Sequence, residues 1–226
     1  MHMPADSCEL LLVRHGHVRD NDYSSGARLC GWCDPPLSEL GQRQGQFLQE
    51  RFSGETLLAG LYTSPLCRAA QTAQLISEII GLTPQVVEDL REINCGTLDG
   101  LPLEEVKLRY PNLWLQHLAQ TDDEFCWPGG ETYRSFRARV TETIDDIAAA
   151  HPGERVILVT HSGVITQIMG ELEGMPPERW ESHRAGNASI TAFQWQRASR
   201  RLLWFDDRSH LRASISDACV GPSNDA

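Results

Sequence analysis

The sequence predicts one α/β domain: a three-layer α/β/α sandwich with a mostly parallel sheet between helices on both faces. Two observations carry this. Short apolar, β-compatible runs alternate with segments of helical periodicity, and such alternation implies parallel βαβ units. The 226 residues also show no compositional break and no internal repeat. One domain over residues 1–226 is therefore expected, with an ordered core over about 9–206 and a flexible tail over 207–226.

The elements follow in order. Glu9–Arg14 (ELLLVR) reads as a buried strand ending in a glycine-containing turn. His17–Pro36 is polar and aperiodic, a long loop of the kind that carries function in compact domains. Ser38 is placed to cap a helix whose Leu40, Phe47, Leu48 and Phe52 fall near one face. Gly60–Ser64 is a second strand. Arg68–Ile80 is a helix that turns Ala69, Ala73, Ile76 and Ile80 inward and stops at Gly81. A third strand is expected over Pro84–Val87, then a loop over Leu90–Leu101. Pro102 opens helical pieces at their first position, running to about Gln120. Thr121–Gly130 is irregular, and Thr132–Ala150 is a helix with Phe136, Val140, Ile144 and Ile147 at helical spacing. Arg155–Thr160 (RVILVT) is the clearest buried strand, with a helix over Gly163–Leu172 after it. Ser189–Trp195 and Arg201–Phe205 form a closing hairpin.

Hydrophobic residues make up 41% and charged residues 23%, ordinary values for a soluble globular chain. The net charge of −11 argues against a nucleic-acid or anionic-membrane partner, because both demand a basic footprint. It leaves room for a small anionic substrate, since a few converging cations can dominate one pocket. Seven cysteines without framework spacing point to reduced thiols and a cytoplasmic location. Met1–Ser7 lacks a basic region, Leu10–Val13 is too short for a signal peptide, and nothing approaches a membrane span. The oligomeric state is open, with a homodimer allowed.

Chemistry collects at the strand ends. The first strand ends in Arg14-His15-Gly16, the second runs into Ser64-Pro65-Leu66-Cys67-Arg68, and RVILVT ends at His161-Ser162-Gly163. Carboxyl ends of parallel strands share one edge of the sheet, where such folds bind ligands. Two histidines and two arginines should meet there. Forked guanidinium donors and an imidazole able to attack phosphorus are what a phosphate dianion needs.

These blocks resemble the histidine phosphatase superfamily, also called the phosphoglycerate mutase-like family. Arg14-His15-Gly16 stands where the family has R-H-G. Gly26–Gln44 is similar to its G-W-x-D-x-P-L segment, and Tyr62–Ala73 to Y-x-S-P-x-x-R-x-x-Q-T-A. Leu90–Gly96 matches L-x-E-x-x-x-G, while Pro128–Glu131 and Val159–Ile165 match two further blocks in the expected order. The resemblance covers about residues 9–195.

The resemblance implies that His15 is the nucleophile, transiently phosphorylated, and that Glu92 is the proton donor and later the base. It makes Arg14, Arg68 and His161 the phosphate clamp, with further substrate contacts from Asn21, the backbone N–H of Gly31, and Ser162. It implies a metal-independent phosphomonoesterase acting on a small phosphorylated metabolite, with no cofactor. Two positions depart from the family pattern: Val18 supplies no hydroxyl where Thr or Ser is frequent, and His17 occupies a variable family position, open between a substrate contact and solvent exposure. Walls are expected from Tyr23–Pro36 and Leu101–Gly130, with Trp32, Trp114, Phe125 and Trp127 available for substrate or core. Cys30-Gly31-Trp32-Cys33 is a C-x-x-C without a second ligand pair for zinc or a helix-start context for redox work, so ordinary loop thiols are expected.

Two alternatives stay open. A cofactor-dependent phosphoglycerate mutase uses the same core, but the family's mutases carry a basic insertion with an Arg-Arg pair. Here Leu101–Gly130 offers Lys107 and Arg109 beside Asp122, Asp123 and Glu124. A non-catalytic phospho-ligand-binding module on the same fold is the other, disfavoured by the intact Arg14, His15, Arg68, Glu92 and His161.

Overall fold

A computed structural model of the chain describes residues 6–21, 26–119, 122–173 and 183–211, the side chains of Asn21 and Glu173 excepted. Its order is β1 (Cys8–Arg14), α1 (Glu39–Phe52), β2 (Leu58–Thr63), α2 (Cys67–Ile80), β3 (Gln85–Val86), α3 (Leu103–Arg109), α4 (Pro111–Ala119), α5 (Tyr133–Ala150), β4 (Arg155–Thr160), α6 (Ser162–Glu173), β5 (Ile190–Gln196) and β6 (Ser199–Asp207). The strands form one sheet in the order β3-β2-β4-β1-β5-β6. Neighbours from β3 to β1 run parallel, and β5 is antiparallel to both β1 and β6. The expected mostly parallel sheet is therefore present. Among the described residues, no helix is long and apolar enough to cross a membrane.

Side-chain alternation along the central strands builds the three layers. Leu10 and Leu12 of β1 and Val156 and Leu158 of β4 pack with Phe136, Val140 and Ile144 of α5 and Val164, Ile165 and Ile168 of α6. Leu11, Val13, Ile157 and Val159 face the other way, onto Leu48 and Phe52 of α1 and Ala69, Ala73 and Ile76 of α2. With both faces covered, these strands need continuous apolar runs, which is how ELLLV and VILV read. Truncating one such side chain, Leu12→Ala for example, should cost about 2–5 kcal/mol. A third cluster around Leu98, Leu103, Val106, Phe125, Trp127 and Tyr133 forms a separate wall beyond the sheet.

Local signals account for the helix ends. The Ser38 side chain accepts the Gly41 N–H at the start of α1, and Thr132 accepts the Ser135 N–H at the start of α5. Gly81 ends α2 in the left-handed region, with φ 72°.

Three expectations change. Pro102 precedes the first turn of α3 rather than occupying it: its ψ of 134° is extended, and it forms a bridge with Arg28. The third strand shrinks to two edge residues, because the chain turns at Glu88–Leu90 to bury Leu90. The tail does not begin at residue 207. β6 runs to Asp207, and a 3-10 turn over Ser209–Leu211 follows. Leu211 is buried in the α1/α2 cluster and His210 Nε2 meets the Ala188 carbonyl at 3.0 Å, so one apolar residue anchors a stretch that reads as polar. Residues 212–226 lie outside the described residues.

Candidate active site

Three strand ends meet. Arg14, the last residue of β1, is in register with Thr160, the last of β4. The His15 N–H donates to Thr160 O at 3.0 Å, and the Ser64 N–H, just past β2, donates to Val159 O at 3.0 Å. Arg14, His15, Arg68, Glu92 and Ser162 line one cavity of about 540 Å³. His161 packs behind that lining, fully buried, with its ring centroid 5.2 Å from that of His15.

His15 Nδ1 lies 2.7 Å from the carbonyl of Gly16. A carbonyl can only accept, so Nδ1 carries the hydrogen and Nε2 keeps the lone pair. Burial first, then the Arg68 and Arg14 charges, hold the His15 pKa well below 6.5, so the ring is neutral near pH 7. The carbonyl that fixes the tautomer thus comes from the very next residue, Gly16. The next peptide is also held. The Gly16 N–H donates to Thr72 Oγ1 at 3.0 Å, and that hydroxyl donates to Arg68 O at 2.8 Å, tying the turn after β1 to α2. A Cβ on Gly16 would stand 2.7 Å from Gly41 O in α1, which explains why this position excludes side chains.

The cations are anchored by carbonyls. Arg14 Nη1 donates to Ala185 O at 2.6 Å. Arg68, buried at 1% exposure, donates from Nη1 to Cys33 O at 2.7 Å and from Nη2 to Gly31 O at 2.8 Å. The expectation for the Gly31 N–H needs correction. That group donates to Asp99 Oδ1 at 2.8 Å, so Gly31 serves the site through its carbonyl, by holding Arg68. His161 Nε2 pairs with Ser64 Oγ at 2.8 Å, while its Nδ1 is buried without a hydrogen-bond partner among the described residues. An unmet buried group costs about 1–3 kcal/mol.

Glu92 is fixed at both carboxylate oxygens. Oε1 accepts the Ile93 N–H and Oε2 the Gly163 N–H at the start of α6, each at 2.9 Å. Its carbonyl accepts from Arg139 Nη2 at 2.9 Å and from Trp32 Nε1 at 2.8 Å. Ser162 is half-buried, its Oγ 3.4 Å from the Ala185 carbonyl that also holds Arg14. The side chain of Asn21 lies outside the described residues. His17 is a structural link: its Nδ1 meets Ser38 Oγ at 2.8 Å and its N–H donates to Gln44 Oε1 at 2.7 Å. Val18 is fully buried.

Farther out, the cavity is lined by Arg28, Lys107 and Arg184 and by the apolar faces of Leu103, Trp114 and Leu118. Of the four candidate aromatics, Trp114 and Trp127 reach the cavity. Phe125 stacks on Tyr133 inside the third cluster, and Trp32 lies against the Arg91 guanidinium. No second ligand pair joins the C-x-x-C among the described residues, but one carboxylate does. The structure brings Asp20 there from the 3-10 turn Arg19–Asn21, with its ligand atom and the Cys30 and Cys33 sulfurs within 4.8 Å of one another.

The family model for the histidine phosphatase superfamily, branch 1, matches residues 10–208. The chain belongs to this superfamily. It is 30% identical over 190 residues to phosphoglycerate mutase-like protein 4 of Arabidopsis thaliana, covering 84% of this chain and 80% of that one. Against the metal-independent phosphoserine phosphatase of the same plant, identity is 33% over 162 residues, 71% of this chain and 66% of that one. The native structure of a mycobacterial glucosyl-3-phosphoglycerate phosphatase superposes with a TM-score of 0.76 at 27% identity, covering 88% of this chain and 99% of that one. In this superfamily member, the R-H-G and R-x-x-Q-T-A blocks meet through Thr72, and the L-x-E-x-x-x-G block meets the start of α6 through Glu92.

Proposed function

We propose that the protein is a phosphomonoesterase that hydrolyses a small phosphorylated metabolite through a phosphohistidine on His15, without a metal ion. The observation that carries this reading is the neutral His15, with its Nε2 lone pair available in a cavity it shares with Arg14, Arg68 and Glu92.

Phosphoryl oxygens are held by Arg14 and Arg68, and the unmet Nδ1 of His161 offers a further contact from behind. His15 Nε2 attacks phosphorus in line with the leaving oxygen. Glu92 delivers a proton to that oxygen as the P–O bond breaks. Each of its carboxylate oxygens accepts one N–H and keeps a second lone pair, so the group is oriented and still able to carry the proton. Water, deprotonated by Glu92, then attacks the phosphohistidine, and phosphate leaves with the His15 lone pair restored. Phosphoryl transfer needs mainly positioning and charge neutralisation, which the two guanidinium groups supply.

The class of substrate is supported by the named activities of the relatives, phosphoserine and glucosyl-3-phosphoglycerate hydrolysis among them. Hydrolysis over isomerisation is supported by composition: between 101 and 130 the Lys and Arg residues are Lys107 and Arg109, beside Asp122, Asp123 and Glu124, with no Arg-Arg pair. The test is rapid quenching with labelled substrate. An acid-labile, base-stable phosphate on His15 is expected, with activity surviving chelation and inhibited by vanadate. Label retained in His15→Ala, or activity lost to chelator and restored by a divalent metal, overturns the reading.

A further inference from the structure

The C-x-x-C of the active-site loop is not absorbed by this mechanism, yet it is built into the phosphate clamp. Cys33 Sγ lies 3.0 Å from Cys30 Sγ. The carbonyls of Gly31 and Cys33 are the two acceptors of the buried Arg68 guanidinium. The N–H groups of Gly31, Trp32 and Cys33 all donate to the Asp99 carboxylate, at 2.8, 2.6 and 2.7 Å. The dithiol segment is therefore the bracket between Asp99 and Arg68, and the Cys30 side chain itself lines the cavity.

We propose that Cys30 and Cys33 are a site of reversible oxidation, forming an intramolecular disulfide that switches off phosphoryl transfer by displacing the carbonyls that hold Arg68. The activity readout of this proposal rests on the phosphatase reading; the disulfide itself does not. A disulfide needs its sulfurs at about 2.05 Å, so the pair must close by roughly 1 Å. Two thiolates sharing a tetrahedral zinc would stand about 3.8 Å apart, given Zn–S bonds of about 2.3 Å. The observed 3.0 Å lies between these two spacings, and beside Asp20 no fourth protein ligand joins the pair among the described residues, one short of a closed tetrahedral zinc site.

The oxidant is a small disulfide, RSSR. Cys30 is suited to attack: the Cys33 S–H donated to it, and then the Arg68 charge, lower its pKa from 9.0. Its thiolate attacks one sulfur of RSSR, forming a mixed disulfide and expelling RS⁻. Cys33 then loses its proton and attacks the Cys30 sulfur, expelling the second RS⁻. The two thiol protons end on two RSH, and the two electrons that leave the protein reduce one RSSR. Closure pulls on a segment whose N–H groups are pinned to Asp99, so movement passes to the carbonyls that face Arg68.

The experiment equilibrates the full-length protein across ratios of 2-mercaptoethanol to its disulfide. Hydrolysis of p-nitrophenyl phosphate is followed beside mass mapping of alkylated peptides. Activity should fall about 10–10²-fold, the cost of misplacing a binding group by about an ångström, in step with the Cys30–Cys33 disulfide, and dithiothreitol should restore it. Each variant is normalised to its own reduced rate. Cys30→Ser should resist oxidation, and Cys33→Ala should stall as an RS adduct on Cys30. A complete Cys30–Cys33 disulfide with activity unchanged overturns the switch. So does the same activity loss in Cys30→Ser, or a pair that stays reduced while Cys67 and Cys126 oxidise. A reduced enzyme inert towards every ester refutes the phosphatase reading, and the mass map still decides whether the pair forms.

Discussion

The Gly163 N–H donates to Glu92 Oε2 at 2.9 Å, and a Cβ added at Gly163 would stand 2.1 Å from Glu92 Oε1. The glycine both holds the carboxylate and makes room for it. Of the colliding groups, the end of the Glu92 side chain is the one able to move. Gly163→Ala should therefore lower kcat by about 10²-fold, the scale of an ångström misplacement of a catalytic group. The helix-propensity gain of alanine is offset by the hydrogen bonds that the displaced carboxylate loses, so thermal stability should change by no more than about 1 kcal/mol. Steady-state kinetics beside a melting curve checks both, and full activity in a stable Gly163→Ala protein would show that the Glu92 position is not critical.

Arg139 holds the backbone around the same residue. It donates to Asp89 O at 2.8 Å, Arg91 O at 3.0 Å and Glu92 O at 2.9 Å, and it pairs with Glu131 at 2.6 Å. It is absent from the cavity lining. Arg139→Met leaves these carbonyls and a mostly buried carboxylate unmet, and should cost at least about 2 kcal/mol. A positioning role predicts that kcat falls with KM nearly unchanged, since no ligand contact is lost. A rise in KM alone would point instead to direct contact with the ester.

These two relationships show what the sequence could disclose. Arg14, His15, Arg68 and the turn after Thr160 were legible because parallel strands deliver their carboxyl ends to one edge, whereas Glu92 was legible only through the resemblance of Leu90–Gly96 to a family block. What the sequence hid are contacts to backbone across long separations. Asp99 takes the Gly31 N–H from 68 positions away, and Arg139 reaches Glu92 O from 47. Neither pairing has a periodicity that marks it. Thr72 and Glu131 did carry a signal, because both sit inside blocks that resemble the family, but a block match assigns no partner. Leu211 and the shortened β3 were hidden differently: one buried leucine, or one early turn, changes an element without altering the local pattern.

The imidazoles predict an acid-sensitive fold. Burial first, then nearby arginines, holds His15 and His161 well below 6.5; burial lowers His117 to about 4 and also lowers His210. His15, His161 and His117 are neutral in the native state and take up a proton on unfolding below about pH 6.5, and His210 shifts in the same direction. Below that pH the unfolded state binds more protons. The stability these groups contribute is thus present above 6.5 and lost as pH falls, at a limiting slope of about 1.4 kcal/mol per pH unit for each. For His117 the window runs from 6.5 down to about 4. Urea unfolding at pH 7, 6 and 5 should show stability falling before carboxylates titrate. His117→Asn keeps a hydrogen-bonding group near Tyr133 Oη and should flatten the slope between pH 6 and 5 by about one imidazole's share. An unchanged slope would mean that His117 is protonated in the native state.

Glu92 offers the sharpest test of the chemistry. An alkoxide is a poor leaving group near neutral pH, so a proton delivered in the transition state should speed its departure by roughly 10²–10⁴-fold. A nitrophenolate leaves well unaided, because its charge spreads into the ring. Glu92→Gln keeps an oxygen to accept the Gly163 or Ile93 N–H but has no proton to give. It should slow cleavage of an alkyl phosphate far more than the initial phosphorylation of the enzyme by p-nitrophenyl phosphate. Steady-state turnover would blur the contrast, since the proposed mechanism also has Glu92 activate water in the second half-reaction. The comparison therefore belongs in the single-turnover burst, with folding of the variant checked by its melting curve. Equal slowing of both esters in that burst would remove Glu92 as the acid. No slowing of either would leave it as a carboxylate that caps the start of α6.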